Sequence, residues 1–129
     1  MLVDRTQGRR FVEQIRNAGL DAITLADVWG RNQAQLVKDV EWISWAAGNG
    51  CVGLTADESI RYLAAERDAI SACGLQVFCF PHNNLLVAEQ VRRVVQHAAG
   101  MKRLAADEPG PWLAAIYAGE LTVKWRPVG

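Results

Sequence analysis

Residues 51–57 read Cys-Val-Gly-Leu-Thr-Ala-Asp, and the reading of this stretch decides the fold. Its first five residues, CVGLT, form a short, nearly all-apolar run of the kind that belongs to a parallel strand buried on both faces. An acid follows two residues beyond the run's end. A parallel strand needs covering helices on either side of it in the sequence, so the flanks can be tested directly.

They comply. Downstream, residues 58–73 are predicted as a helix ending at Gly74. Residues 75–80 (LQVFCF) read as another buried strand stopped by Pro81, and residues 85–99 as a helix with Leu86, Val87, Val91, Val94 and Val95 available to the core. Upstream, residues 39–47 are predicted helical, with Val40, Ile43 and Ala47 on one side and Gly48 and Gly50 as the stop. Residues 21–28 (DAITLADV) read as a strand, residues 9–18 as a helix with Phe11, Val12, Ile15 and Ala18 at helical period, and residues 1–4 as a clipped first strand. The order βαβαβαβα predicts an α/β fold with a central, mostly parallel sheet between helices. The tail differs. Beyond a breaker at residues 107–110, two apolar runs flank Ala118-Gly119-Glu120, predicting a closing β-hairpin at about 112–125.

At 129 residues the chain is sized for a single domain over 1–129. Lys+Arg and Asp+Glu balance at 14 each, so net charge points to no class of partner. A nucleic-acid enzyme of this composition would need its basic residues gathered locally. No apolar run approaches membrane-spanning length, and the expectation is a soluble, cytoplasmic protein without membrane association. Cys51, Cys73 and Cys79 show no CxxC spacing and are expected to be packed thiols rather than zinc ligands or a redox pair.

Three aspartates fall where strands hand over to helices: Asp4 after the first strand, Asp39 opening a helix, and Asp57 after the third strand. The carboxyl ends of parallel strands are where open α/β sheets place their chemistry. If the first and third strands are neighbours, Asp4 and Asp57 come together and Asp39 can close the pocket from its helix. Carboxylates held that closely repel one another unless a cation such as Mg²⁺ or Mn²⁺ neutralises them. Such a site can activate water and stabilise charge on a transferring phosphoryl group. A bland alternative stands beside this: Asp39 and Asp57 could each serve as a helix cap. Asp4 has no cap to make.

The sequence LVD, then DVEWISWA, then GLTADESIR resembles the PIN domain, the fold of many metal-dependent ribonucleases, and most closely its short PIN-like form associated with VapC-type toxins. The matching positions are Asp4, Asp39 with Ile43 and Ala46 after it, and Thr55 with Asp57. The resemblance covers residues 1–80, and the hairpin tail suits it. It implies a three-layer PIN-like fold and a Mg²⁺- or Mn²⁺-dependent endoribonuclease leaving 5′-phosphate and 3′-hydroxyl ends. It also implies a cognate antitoxin as partner and a homodimer. Asp4, Asp39 and Asp57 would be catalytic metal ligands, and Thr55 would orient Asp57 or the water. Many PIN domains carry a further acid. Nothing here matches it cleanly, and Asp27 is the best substitute, with Glu41 and Glu58 expected to point elsewhere.

Arg5, Arg9 and Arg10 crowd the first strand-to-helix junction and Arg31 and Arg61 follow two other strand ends; of these, Arg5, Arg9 and Arg61 are candidates to hold RNA phosphates beside the acidic crevice. His82 also follows a strand end, while His97 is expected at the surface. Gly8 could let the loop after the first strand approach a phosphate. Of the five tryptophans, Trp42 and Trp45 are expected to pack, and Trp29 and Trp125 to lie exposed at an interface. Two other readings remain. One is an inactive PIN-like interaction module. The other is a receiver-like Mg²⁺-binding signalling domain, disfavoured because no acidic pair follows the first strand.

Overall fold

The computed structural model describes residues 1–56, 64–81 and 84–127. Asp57, Glu58, Arg61 and His82 therefore lie outside the described residues. Among the described residues the elements follow in the order β1 (Leu2–Val3), α1 (Arg9–Asn17), β2 (Ile23–Thr24), α2 (Leu25–Trp29), α3 (Arg31–Ala34), α4 (Asp39–Gly48), β3 (Gly53–Thr55), α5 (Ala64–Cys73), β4 (Gln76–Cys79), α6 (Val87–Asp107), β5 (Trp112–Ile116) and β6 (Leu121–Trp125).

The strands form one sheet in the order β2-β1-β3-β4-β5-β6. All pairings are parallel except β5 with β6. The expected neighbours are in place: Leu2 pairs with Gly53 and Val3 with Leu54. Because side chains alternate along a strand, each strand feeds two cores. Leu2, Val77, Cys79, Leu113 and Ala115 pack with Trp42, Ile43 and Ala46 of α4 and Ile70 of α5. Val3, Leu54, Phe78, Phe80, Trp112, Ala114 and Ile116 pack with Phe11, Val12 and Ile15 of α1 and Val94 and Met101 of α6. The result is a three-layer α/β fold with a mostly parallel sheet and a C-terminal hairpin, as the strand-and-helix order predicts.

Five local expectations are corrected. The strand predicted over 21–28 is extended only at Ile23–Thr24, and a helix follows at once. Thr24 and Asp27 form a capping box: the Asp27 N–H donates to the Thr24 hydroxyl at 3.1 Å, and the Thr24 N–H donates to the Asp27 carboxylate at 2.9 Å. This local hydrogen bonding starts α2 where the apolar pattern alone reads as strand. The helix predicted to end near residue 99 instead continues through Gly100 to Asp107. A Cβ at Gly100 would sit 3.3 Å from the Leu121 side chain, so the glycine serves the approach of the hairpin rather than a helix stop.

The tail is both a hairpin and a fifth parallel strand, for β5 pairs with β4 in parallel and with β6 in antiparallel register. Finally, Val40 and Val95 are exposed. Trp42, Ile43 and Ala46 set the buried face of α4, and Gln90, Arg93, Val94 and Met101 that of α6. At about 100° per residue, Val40 and Val95 fall outside those arcs. Trp29 and Trp125, expected to be exposed, are half-buried. Trp29 lies 6.0 Å from the Trp45 ring, and Arg67 sits 5.4 Å over Trp125. Among the described residues, no helix is long and apolar enough to cross a membrane.

Candidate active site

Register decides which side chains meet. Leu2 and Gly53 face the α4 layer, so the alternation carries Asp4 and Thr55, two residues further along β1 and β3, to the same side at the carboxyl edge. Asp4 is buried, 5 % exposed, and Thr55 is wholly buried. The Thr55 hydroxyl donates to Asp4 Oδ2 at 2.7 Å. The other carboxylate oxygen, Oδ1, accepts from the Thr6 N–H at 2.8 Å and from the Thr6 hydroxyl. The Thr6 oxygen accepts in turn from the Ala56 N–H at 2.9 Å, so one threonine side chain ties the loop after β1 to the end of β3.

Burial pushes the Asp4 carboxyl above its ordinary value, and the nearby Asp39 charge adds to that push. The bonds from Thr6 and Thr55 oppose it by stabilising the ionised form. Asp39 is the first residue of α4, with Lys38 in the N-cap position, so the cap reading of Asp39 does not describe its place. Its Oδ1 accepts from the indole N–H of Trp42 at 2.9 Å, one turn along the same helix. Glu41 turns back to accept from the Lys38 N–H at 3.4 Å.

The other candidates fall into three groups. Asp57 and Arg61 lie outside the described residues. Asp27 sits in the first turn of α2 rather than at a strand end, and its carboxylate pairs with Arg16 at 2.8 Å while capping the helix. Its carboxyl is held below the ordinary range, first by the Thr24 N–H. Arg5 and Arg9 are exposed beside the loop after β1. Arg5 donates to the Gln35 carbonyl at 3.0 Å. A cavity of about 310 Å³ opens there, lined by Asp4, Arg5, Gln7, Thr24, Leu25 and Gln35 among others.

Sequence reasoning passed over Thr6, and it foresaw the packing of Trp42 but not its bond to Asp39. The Asp4-x-Thr6 spacing is the signal for the first, because a hydroxyl two residues after a strand-ending acid can close a side-chain turn on it. The i,i+3 spacing of Asp39 and Trp42 is the signal for the second.

Asp4 and Asp39 offer hard oxygen donors, and their like charges raise the cost of ionising Asp4. That donor set suits a divalent cation such as Mg²⁺ or Mn²⁺. Among the described residues, no group of three His, Cys, Asp or Glu is placed to hold a metal. Asp57, the third candidate ligand, stands outside them.

A mostly parallel sheet with a threonine-braced aspartate at its carboxyl edge and a second aspartate opening the neighbouring helix is the arrangement of a PIN-type domain. The profile of the family described as "PIN like domain" matches residues 1–82, and the chain belongs to that family. Over 122 residues, 94 % of this chain and 88 % of its relative, it is 33 % identical to a Mycobacterium tuberculosis (strain ATCC 25618 / H37Rv) protein named as a candidate ribonuclease, VapC45. No solved structure matches the chain.

Proposed function

We propose that the protein is a metal-dependent endoribonuclease of the VapC type, the toxin of a toxin–antitoxin pair. The observation that carries this reading is the buried Asp4 carboxylate, aligned by Thr6 and Thr55 and sharing its surroundings with the Asp39 charge. The name of the Mycobacterium tuberculosis relative, a ribonuclease, supports the same activity. Asp4, Asp39 and Asp57 would hold Mg²⁺ or Mn²⁺. When bound, the cation would neutralise the carboxylates, polarise the phosphodiester and lower the pKa of the attacking water.

The chain's own groups would do the rest. Thr55 and Thr6 fix the rotamer of Asp4, and Thr55 would also orient Asp57. Arg5, Arg9 and Arg61 would hold backbone phosphates on either side of the scissile bond, contacts that position RNA without reading its sequence. In-line attack by water then leaves a 5′-phosphate and a 3′-hydroxyl. Asp27, whose Oδ2 accepts from Arg16 and from the Thr24 N–H, would serve as a fourth ligand through Oδ1 or by releasing those bonds. A cognate antitoxin would silence the enzyme by bringing a basic side chain to the acidic edge. The protein would act in the cytoplasm as a homodimer.

The test is Mn²⁺-dependent cleavage of total cellular RNA by the purified protein, beside an Asp4→Asn variant. Discrete fragments that require both metal and Asp4 support the assignment. A second reading, an inactive PIN-like interaction module, draws on the engagement of Asp27 elsewhere, which leaves the family's usual extra acid without a counterpart among the described residues. Mn²⁺ bound at the aspartates without cleavage would select it.

A further inference from the structure

Trp42 has no exposed surface, and a buried indole needs a partner for its N–H. The other wholly buried tryptophan, Trp112, satisfies that need with a backbone carbonyl, Glu108 O, at 2.9 Å. Trp42 uses the Asp39 carboxylate instead. The bond takes up Oδ1 and leaves Oδ2 with no hydrogen-bond partner among the described residues. A residue in the first turn of a helix can otherwise swing its carboxylate toward the free backbone N–H groups there.

The strand beneath is cut to fit this indole. A Cβ added at Gly53 would lie 2.9 Å from Cζ3 and 3.4 Å from Cη2 of Trp42. Gly53 is buried in β3, two residues before Thr55, so it faces the same layer as Thr55 and Asp4. Glycine in a strand interior marks a place where another group approaches closely, and here that group is the side chain whose far end holds Asp39.

We propose that Trp42 is a positioning residue of the cation site: seated over Gly53, its indole N–H fixes the Asp39 carboxylate so that the second oxygen faces the Asp4 edge. The inference rests on the reading of Asp4 and Asp39 as cation ligands. It makes Gly53, Trp42 and Asp39 one unit, in which a strand glycine sets the pose of a helix carboxylate through an indole. Partners of this kind fix ligand orientation, and losing one typically costs about 10- to 100-fold in metal affinity.

The experiment is a Mn²⁺ titration of the full chain by calorimetry, for the wild type, Asp4→Asn and Trp42→Phe, with Mg²⁺ titrated into ¹⁵N-labelled wild type by NMR. Phe keeps most of the ring and removes the N–H. A drop of about 10-fold or more in Trp42→Phe affinity is expected. In the wild type, the Trp42 indole resonance should shift with the binding midpoint while that of Trp112 stays still. Wild-type binding lost in Asp4→Asn, but with the Trp42 indole unmoved by Mg²⁺, overturns the positioning role even if Trp42→Phe fails to fold. Unchanged affinity in a folded Trp42→Phe does the same. A wild type that binds no Mn²⁺ overturns the cation reading itself, and the inference with it.

Discussion

The Thr55 hydroxyl donates to Asp4 Oδ2 at 2.7 Å, joining two residues 51 positions apart through the pairing of β1 with β3. Neither residue could make this contact from its own strand alone. The sheet register makes it, and the register is fixed because a one-residue slip would turn Leu2 and Gly53 to the wrong layer. The bond is charge-assisted when Asp4 is ionised, and such bonds are the stronger kind.

Thr55→Val removes that donor while keeping the shape of the side chain. Hydrogen bonds to charged groups contribute about 1.5–3 kcal/mol. A loss of that size is expected at pH 7 by urea denaturation, with a smaller loss near pH 4, where protonation weakens the charge-assisted bond. Equal losses at both pH values would show that Thr55 supports packing rather than the Asp4 charge.

Asp4→Asn is expected to stabilise the metal-free protein. Burial holds the folded-state carboxyl above the ordinary aspartate value, so the folded chain holds its proton more tightly than the unfolded one. The sign follows: the penalty is absent below the unfolded pKa, grows as pH rises toward the raised value, and is complete above it. The gap in stability between variant and wild type should therefore widen from pH 4 to neutrality. Saturating Mn²⁺ should reverse the order, stabilising the wild type by about 2.7 kcal/mol at one hundred times its dissociation constant. Chemical denaturation across pH, with and without Mn²⁺, measures both effects.

What the sequence made legible follows the range of the interactions involved. Gly53–Thr55 and Val77–Cys79 are buried on both faces, so the apolar composition of CVGLT and LQVFCF marks them as parallel strands, and the neighbouring of β1 and β3 places Asp4 beside Thr55. The segment from Leu25 to Trp29 misled because its apolar pattern is short enough to suit either strand or helix. The Thr24–Asp27 capping box, two side-chain bonds, decided it. Thr6 and the bond from Trp42 to Asp39 were missed for another reason: each acts through an acid that the sequence does single out, and only the folded chain shows which oxygen each one holds.

The opening of α6 supplies a test of surface electrostatics away from the site. Arg92 and Arg93 both bond to Glu89, and their hydrogen bonds hold its carboxyl at about 2. Stabilisation from a depressed acid is present above the unfolded pKa and disappears as pH falls through the folded one. The Glu89 carboxyl resonance should therefore titrate near 2 rather than near 4.5. In Arg92→Ala it should return part of the way, with Arg93 still held at 3.0 Å.

Gly53→Ala tests whether the close approach of Trp42 is a packing constraint on the strand. The added methyl would meet the indole at 2.9 Å, nearer than side chains tolerate, and the indole is walled in by the core of the α4 layer. Overpacking of this kind costs about 1–3 kcal/mol. The indole cannot yield without lengthening its 2.9 Å bond to Asp39, so the cost should be accompanied by a shifted Trp42 indole resonance. If the loss of stability comes from strain against Trp42, the pair Gly53→Ala with Trp42→Phe should be less destabilised than the sum of its parts, because the smaller ring makes room. A double-mutant cycle on urea midpoints measures that coupling. Strict additivity would mean that the strand backbone, not the indole, absorbs the methyl, and that Gly53 is needed there for its own flexibility.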